Sequence, residues 1–85
     1  MKMYIGGNWV DRDDKISVIN PFDNSIIDTV PRGTVEDVRI AIASAERGAT
    51  AMAKLSGYDR FSILRKAAEI IQERIEDFGR TITLE

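Results

Sequence analysis

The chain changes character once, near residue 33, and that change limits the folds open to it. Both prolines, Pro21 and Pro31, lie before it, as do the single tryptophan and the Gly6-Gly7 pair. After Gly33 no proline occurs, and apolar residues recur at steps of three and four through a stretch rich in Ala, Ile, Arg and Glu. Proline interrupts a helix and glycine pairs favour tight turns, whereas three-and-four spacing builds one helical face. The expected class is therefore α+β: a β-hairpin and short strands over residues 1–33, then two or three α-helices over 34–85.

Within the first part, Tyr4-Ile5-Gly6-Gly7-Asn8-Trp9-Val10 places two short apolar runs around Gly-Gly. A type I′ turn needs positive φ at both central residues, which two glycines supply, so a hairpin over Tyr4–Val10 is expected. Asp11 to Lys15 reads as a charged loop. Ile16–Ile19 is a strand stopped by Asn20-Pro21, because proline holds its predecessor extended and donates nothing to a ladder. Phe22 to Ser25 turns the chain, and Ile26–Val30 forms a third extended segment.

Thr34 stands where a helix N-cap is needed, with Glu36 and Asp37 adding negative charge to the first turn. Val35, Val38, Ile42, Ala45, Ala49 and Met52 make one apolar stripe, predicting a helix over Thr34–Leu55. Gly48 inside it marks a candidate close-packing point. Ser56-Gly57-Tyr58-Asp59 breaks the pattern with a new capping signal. Phe61, Leu64, Ala68, Ile71, Ile75, Phe78 and Ile82 then form a second stripe over Tyr58–Glu85. Ile63, Ala67 and Ile70 widen it, and the first helix is expected to cover part of that width. Gly79 is the expected bend. No C-cap glycine or proline follows Thr83-Leu84-Glu85, so the reading expects a helix cut short.

Composition narrows the chemistry. Among 85 residues there is no cysteine and no histidine, which removes disulfides, thiolate and imidazole catalysis and the common zinc sites. Twelve basic residues stand against fourteen acidic ones, a net charge of −2, which does not suit a nucleic-acid or membrane surface. Asp11, Asp13 and Asp14 invite a calcium loop, but Lys15, Ile16 and Phe22 occupy positions where an EF-hand needs an oxygen ligand, glycine and glutamate. Gly6-Gly7 lacks the spacing of either a dinucleotide fingerprint or a P-loop. Lys54, Arg60, Arg65 and Lys66 bracket the interhelical break as in a DNA reader. Glu69, Glu73, Glu76 and Asp77 on the helix that would dock oppose that reading. Met52 with Leu55, and Tyr4 with Trp9, read as packing. No nucleophile, base and oxyanion site come together.

The pattern as a whole resembles the N-terminal segment of the aldehyde dehydrogenase superfamily. The resemblance runs through Tyr4–Val10, Ile19-Asn20-Pro21, Ile26–Pro31 and Gly33–Val38 with Ala41 and Ala45. It continues through Arg60–Ile71, Arg74 and Ile82–Glu85. The order and spacing of these pieces carry it, over essentially the whole chain. Met52 departs from it, standing where many members have tryptophan.

The resemblance implies a parent enzyme that oxidises an aldehyde to a carboxylic acid with NAD or NADP. Its cysteine nucleophile, glutamate base and oxyanion-site asparagine all lie downstream in the family. Residues 1–85 would thus hold no catalytic and no cofactor-binding residue. They would form outer strands and helices of a Rossmann-type α/β cofactor-binding domain. The backbone carbonyl of Ile19 would be one ligand of an incomplete monovalent-cation site. The expected partner is the remainder of the same subunit, in a cytoplasmic homo-oligomer, with no nucleic acid or membrane; the isolated segment is expected to self-associate. The alternative is a free-standing helical interaction module without enzymatic activity.

Overall fold

Gly6 and Gly7 close the first hairpin with φ of +57° and +86°, the left-handed pair that a type I′ turn requires. The computed structural model describes all residues, 1–85. Around that turn β1 (Met3–Ile5) pairs antiparallel with β2 (Asn8–Val10), with Ile5 opposite Asn8 and Tyr4 opposite Trp9. The two later strands, β3 (Lys15–Ile19) and β4 (Ile26–Pro31), pair only with each other, so the chain holds two separate two-stranded sheets. Their register slips between Val18 and Ile19. Asn20 and Asp23 shape the connecting turn through their side chains, accepting from the Phe22 and Ser25 amides at 2.9 Å each. Asn24 takes the left-handed conformation there, with φ of +60°. Pro31 ends β4, where a missing N–H costs the ladder little.

The first helix, α1 (Val35–Ala53), starts at the expected cap. Thr34 Oγ1 accepts from the Asp37 amide at 3.1 Å, and the Asp37 carboxylate accepts from the Thr34 amide at 2.9 Å. The cap is therefore reciprocal, with aspartate in place of the usual glutamate or glutamine. Ser56 caps α2 (Gly57–Glu73), its Oγ accepting from the Asp59 amide at 3.0 Å. The expected second helix then divides. Arg74, at φ −113° and ψ 25°, separates α2 from α3 (Ile75–Leu84). The break is at Arg74 and not at the expected Gly79, which lies inside α3 with open space around it. Gly48 likewise meets nothing within 4 Å, so its expected role as a packing point is corrected.

The larger correction concerns the core. Only Pro31 and Asp37 are buried, and no large hydrophobic side chain is among them. The radius of gyration is 16.6 Å, against roughly 12 Å for a closed domain of this length. The molecule measures 48 × 34 × 16 Å, so its thin dimension is little more than one helix diameter. α1 rests on β1, and a Cβ added at Gly6 in the turn that follows would lie 3.5 Å from the Ser44 hydroxyl. α1 does not pack along α2, and the broad stripe it was expected to shield stays exposed. A domain usually needs two packed layers, and residues 1–85 provide one.

Candidate functional site

The one buried charge is Asp37, 3% exposed. Arg12, in the loop after β2, reaches 25 positions along the chain to meet it. Arg12 Nε donates to Asp37 Oδ2 at 3.1 Å, and Nη2 donates to Oδ1, a two-point fork on one carboxylate. With the Thr34 amide, that carboxylate accepts three hydrogen bonds. Arg12 first, and the Thr34 amide second, hold its pKa down to about 2 from 3.8. This cluster joins the hairpin to the start of α1. It is a fixed ion pair without an adjacent nucleophile, and its chemistry is positional.

The acidic loop separates its carboxylates. Asp11 pairs with Lys15 and accepts from the Arg12 amide, while Asp14 pairs with Arg32 at 2.9 Å. Gly6-Gly7 forms the hairpin turn and opens no helix. Lys54 lies after α1, whereas Arg60, Arg65 and Lys66 lie on α2, where Arg65 and Lys66 both face Glu69. Tyr4 and Trp9 do meet, with ring centroids 5.0 Å apart and planes tilted by 59°, yet Trp9 is 68% exposed. Ile19 sits at the end of β3, beside the register slip. The nearby Asp23 carboxylate is held by the Ser25 amide and hydroxyl. A lone backbone carbonyl does not make up the several oxygens a hard cation takes, so these residues do not fit a complete cation site.

Sequence reasoning missed two features. One is the Arg12–Asp37 fork; a charged residue at an N3 helix position was its only local signal. The other is a cleft of about 180 Å³ between the β3–β4 ribbon and the end of α3. Val18, Ile27, Val30 and Leu84 give it apolar walls, and Asp28 and Glu85 stand at its rim. The terminal amine of Met1 closes one side, 3.3 Å from Asp28 Oδ1 and 3.1 Å from the Thr29 carbonyl. No thiol, imidazole or cationic side chain enters it.

What the geometry offers in quantity is uncovered apolar surface. Phe61, Ile63, Leu64, Ile70 and Ile71 on α2, and Ile75, Phe78 and Ile82 on α3, are all exposed. Exposed apolar patches much beyond a few hundred Å² mark association surfaces. A family model described as "Aldehyde dehydrogenase family" matches residues 9–85. The chain belongs to the aldehyde dehydrogenase family. Among its curated relatives, alpha-ketoglutaric semialdehyde dehydrogenase of Bacillus subtilis is 38% identical over 85 residues, covering 96% of this chain and 17% of that protein. The human mitochondrial methylmalonate-semialdehyde/malonate-semialdehyde dehydrogenase [acylating] is 36% identical over 87 residues, covering all of this chain and 16% of that protein. The chain thus spans about one-sixth of the length of these relatives. Such matches favour a segment of the family over a free-standing module. No helix is long and apolar enough to cross a membrane.

Proposed function

We propose that residues 1–85 are an outer, N-terminal layer of the cofactor-binding domain of an aldehyde dehydrogenase, and that they carry structure rather than chemistry. The parent reaction is oxidation of an aldehyde to a carboxylic acid, with NAD or NADP as hydride acceptor. The observation that carries this reading is the single-layer architecture: 16 Å thick, amphipathic throughout and without one buried large hydrophobic side chain. Such a layer suits a place against a second layer, and the relatives' remaining five-sixths would provide it.

The segment's own work in that setting is positional. The Arg12–Asp37 fork fixes the hairpin to α1, and the capped helices α1 and α2 each carry an exposed apolar face. The Ile19 carbonyl is one oxygen toward a monovalent cation whose other ligands come from the rest of the subunit. We assign no NAD(P)-binding contact to these residues, and we place the parent in the cytoplasm as a homo-oligomer.

The test uses residues 1–85 alone and fused ahead of the matching remainder of the Bacillus subtilis relative. Alone, the chain is expected to form no NAD(P)H with any aldehyde and to give no heat on titration with NAD or NADP. Fused, it is expected to support aldehyde-dependent NAD(P)H formation, which deletion of residues 1–85 abolishes. Micromolar dinucleotide affinity of the chain alone, or full activity of the deleted enzyme, overturns the reading.

A further inference from the structure

Residues 57–84 have the spacing of one helix and the shape of two. We propose that the break at Arg74 is a hinge. The seat of Leu84 beside the β3–β4 ribbon holds α3 bent, and α2 and α3 pass into one continuous helix when that seat is lost.

Three observations support a hinge over a fixed corner. The first is spacing. From Phe61 to Ile82 apolar residues follow at alternating steps of three and four, and the step from Ile71 to Ile75 keeps that rhythm across the break. Sharp bends in helices usually come with proline, glycine or an inserted residue that shifts the stripe. Between Ile70 and Phe78 there is none of these.

The second is backbone bonding. The Arg74 amide donates to the carbonyls of Ile70 and Ile71 at 3.2 and 3.1 Å, and the Arg74 carbonyl accepts from the Phe78 amide at 3.1 Å. One ladder thus ends and the next begins on the same residue. α3 has no side-chain cap, so the amides of Ile75, Glu76 and Asp77 are left as its leading donors. A continuous helix would pair them with the carbonyls of Ile71, Gln72 and Glu73. Glu76 and Asp77 favour a helix start here, and the Arg74 cation at the cap opposes it. Local bonding therefore favours the straight form.

The third is how little holds the bend. Leu84 is the one residue from 57 to 84 that is not exposed. It stands with Val18, Ile27 and Val30 around the cleft of about 180 Å³, so its seat is half-filled rather than close-packed. Partial burial of one leucine and the net gain of a few backbone hydrogen bonds are of similar size. Two shapes of similar free energy are both accessible, and a small change selects between them. Bent, α3 walls the cleft. Straight, it leaves the ribbon uncovered and aligns the whole stripe on one face over roughly 30 Å.

The chain has no cysteine, so nitroxide labels on R60C/R80C read the hinge directly. Both positions are exposed. A continuous helix sets them about 30 Å apart along its axis. With Leu84 in place, the dominant distance between labels is expected to be shorter. L84Q should move the main population to about 30 Å, with the helical circular dichroism signal kept or raised. Adding R74G to L84Q should cut that straight population about fivefold, because glycine disfavours a helix interior. Four results would each overturn the proposal: a distance of about 30 Å with Leu84 in place, a short distance kept in L84Q, a broad distribution with loss of helical signal in L84Q, or no effect of R74G. None of these outcomes bears on the family reading, which the fusion experiment tests separately.

Discussion

Asp37 joins two parts of the chain through one carboxylate. It caps α1 through the Thr34 amide and receives the Arg12 fork from the loop after β2. Its pKa in the folded chain, about 2, lies below the ordinary 3.8, so protonation opposes the fold. The stability it contributes is complete above roughly pH 4 and is lost as pH falls toward 2. We expect the Thr34 amide resonance to move through that window in the parent chain and to stay still there in D37N. Replacing Arg12 with Ala removes the main cause of the lowered pKa, so the midpoint of that movement should rise toward 3.8. Thr34→Ala removes the other half of the reciprocal cap and should cost α1 about 1 kcal/mol, read as a lower urea midpoint of the helical circular dichroism signal.

At the scale of elements, three glycines divide by backbone and surroundings. Gly7 has φ of +86°, where a side chain is strained whatever space surrounds it. G7A should therefore loosen the β1–β2 hairpin by about 1 kcal/mol, seen as faster amide exchange at Ile5 and Asn8. Gly48 and Gly79 have helical backbones and empty surroundings, so Ala at either should add about 1 kcal/mol to its helix. A rise in helical signal for G48A and G79A, beside a loss for G7A, would separate turn glycines from helix glycines in one experiment. The break at Arg74 belongs to the same scale. No glycine or proline marks it, and it turns α3 so that Thr81 and Leu84 reach the β3–β4 ribbon. Arg74 itself stays near the next turn, its guanidinium 5.8 Å from the Phe78 ring centroid.

For the whole molecule the governing quantity is apolar surface left in water. A chain with no buried hydrophobic core has little to hold its elements in one arrangement, and its stability depends on what covers it. Residues 1–85 alone should bind a hydrophobic dye such as ANS and melt with low cooperativity when dilute. Exchanging both Ile63 and Ile70 for Gln should reduce dye binding and raise solubility, with little loss of helix because neither side chain supports its own helix through packing. A sharp calorimetric transition of the dilute parent chain, independent of concentration, would contradict this expectation.

Local chemistry was readable from the residues. The Gly6-Gly7 turn, the strands before Asn20-Pro21 and Pro31, and the caps at Thr34 and Ser56 each depend on groups within about four positions of one another. The same is true of the broad apolar face of α2. Family membership was also readable, because it rests on the order of such local pieces along residues 9–85. Periodicity shows that a face is apolar but does not show what lies against it, so the same stripe marks a core or an open surface. Tertiary structure decided that both stripes are open, that α1 and α2 do not pack together, and that the long helix turns at Arg74. It also decided that Arg12 belongs to Asp37, since a pairing across 25 residues leaves no trace in the spacing of either.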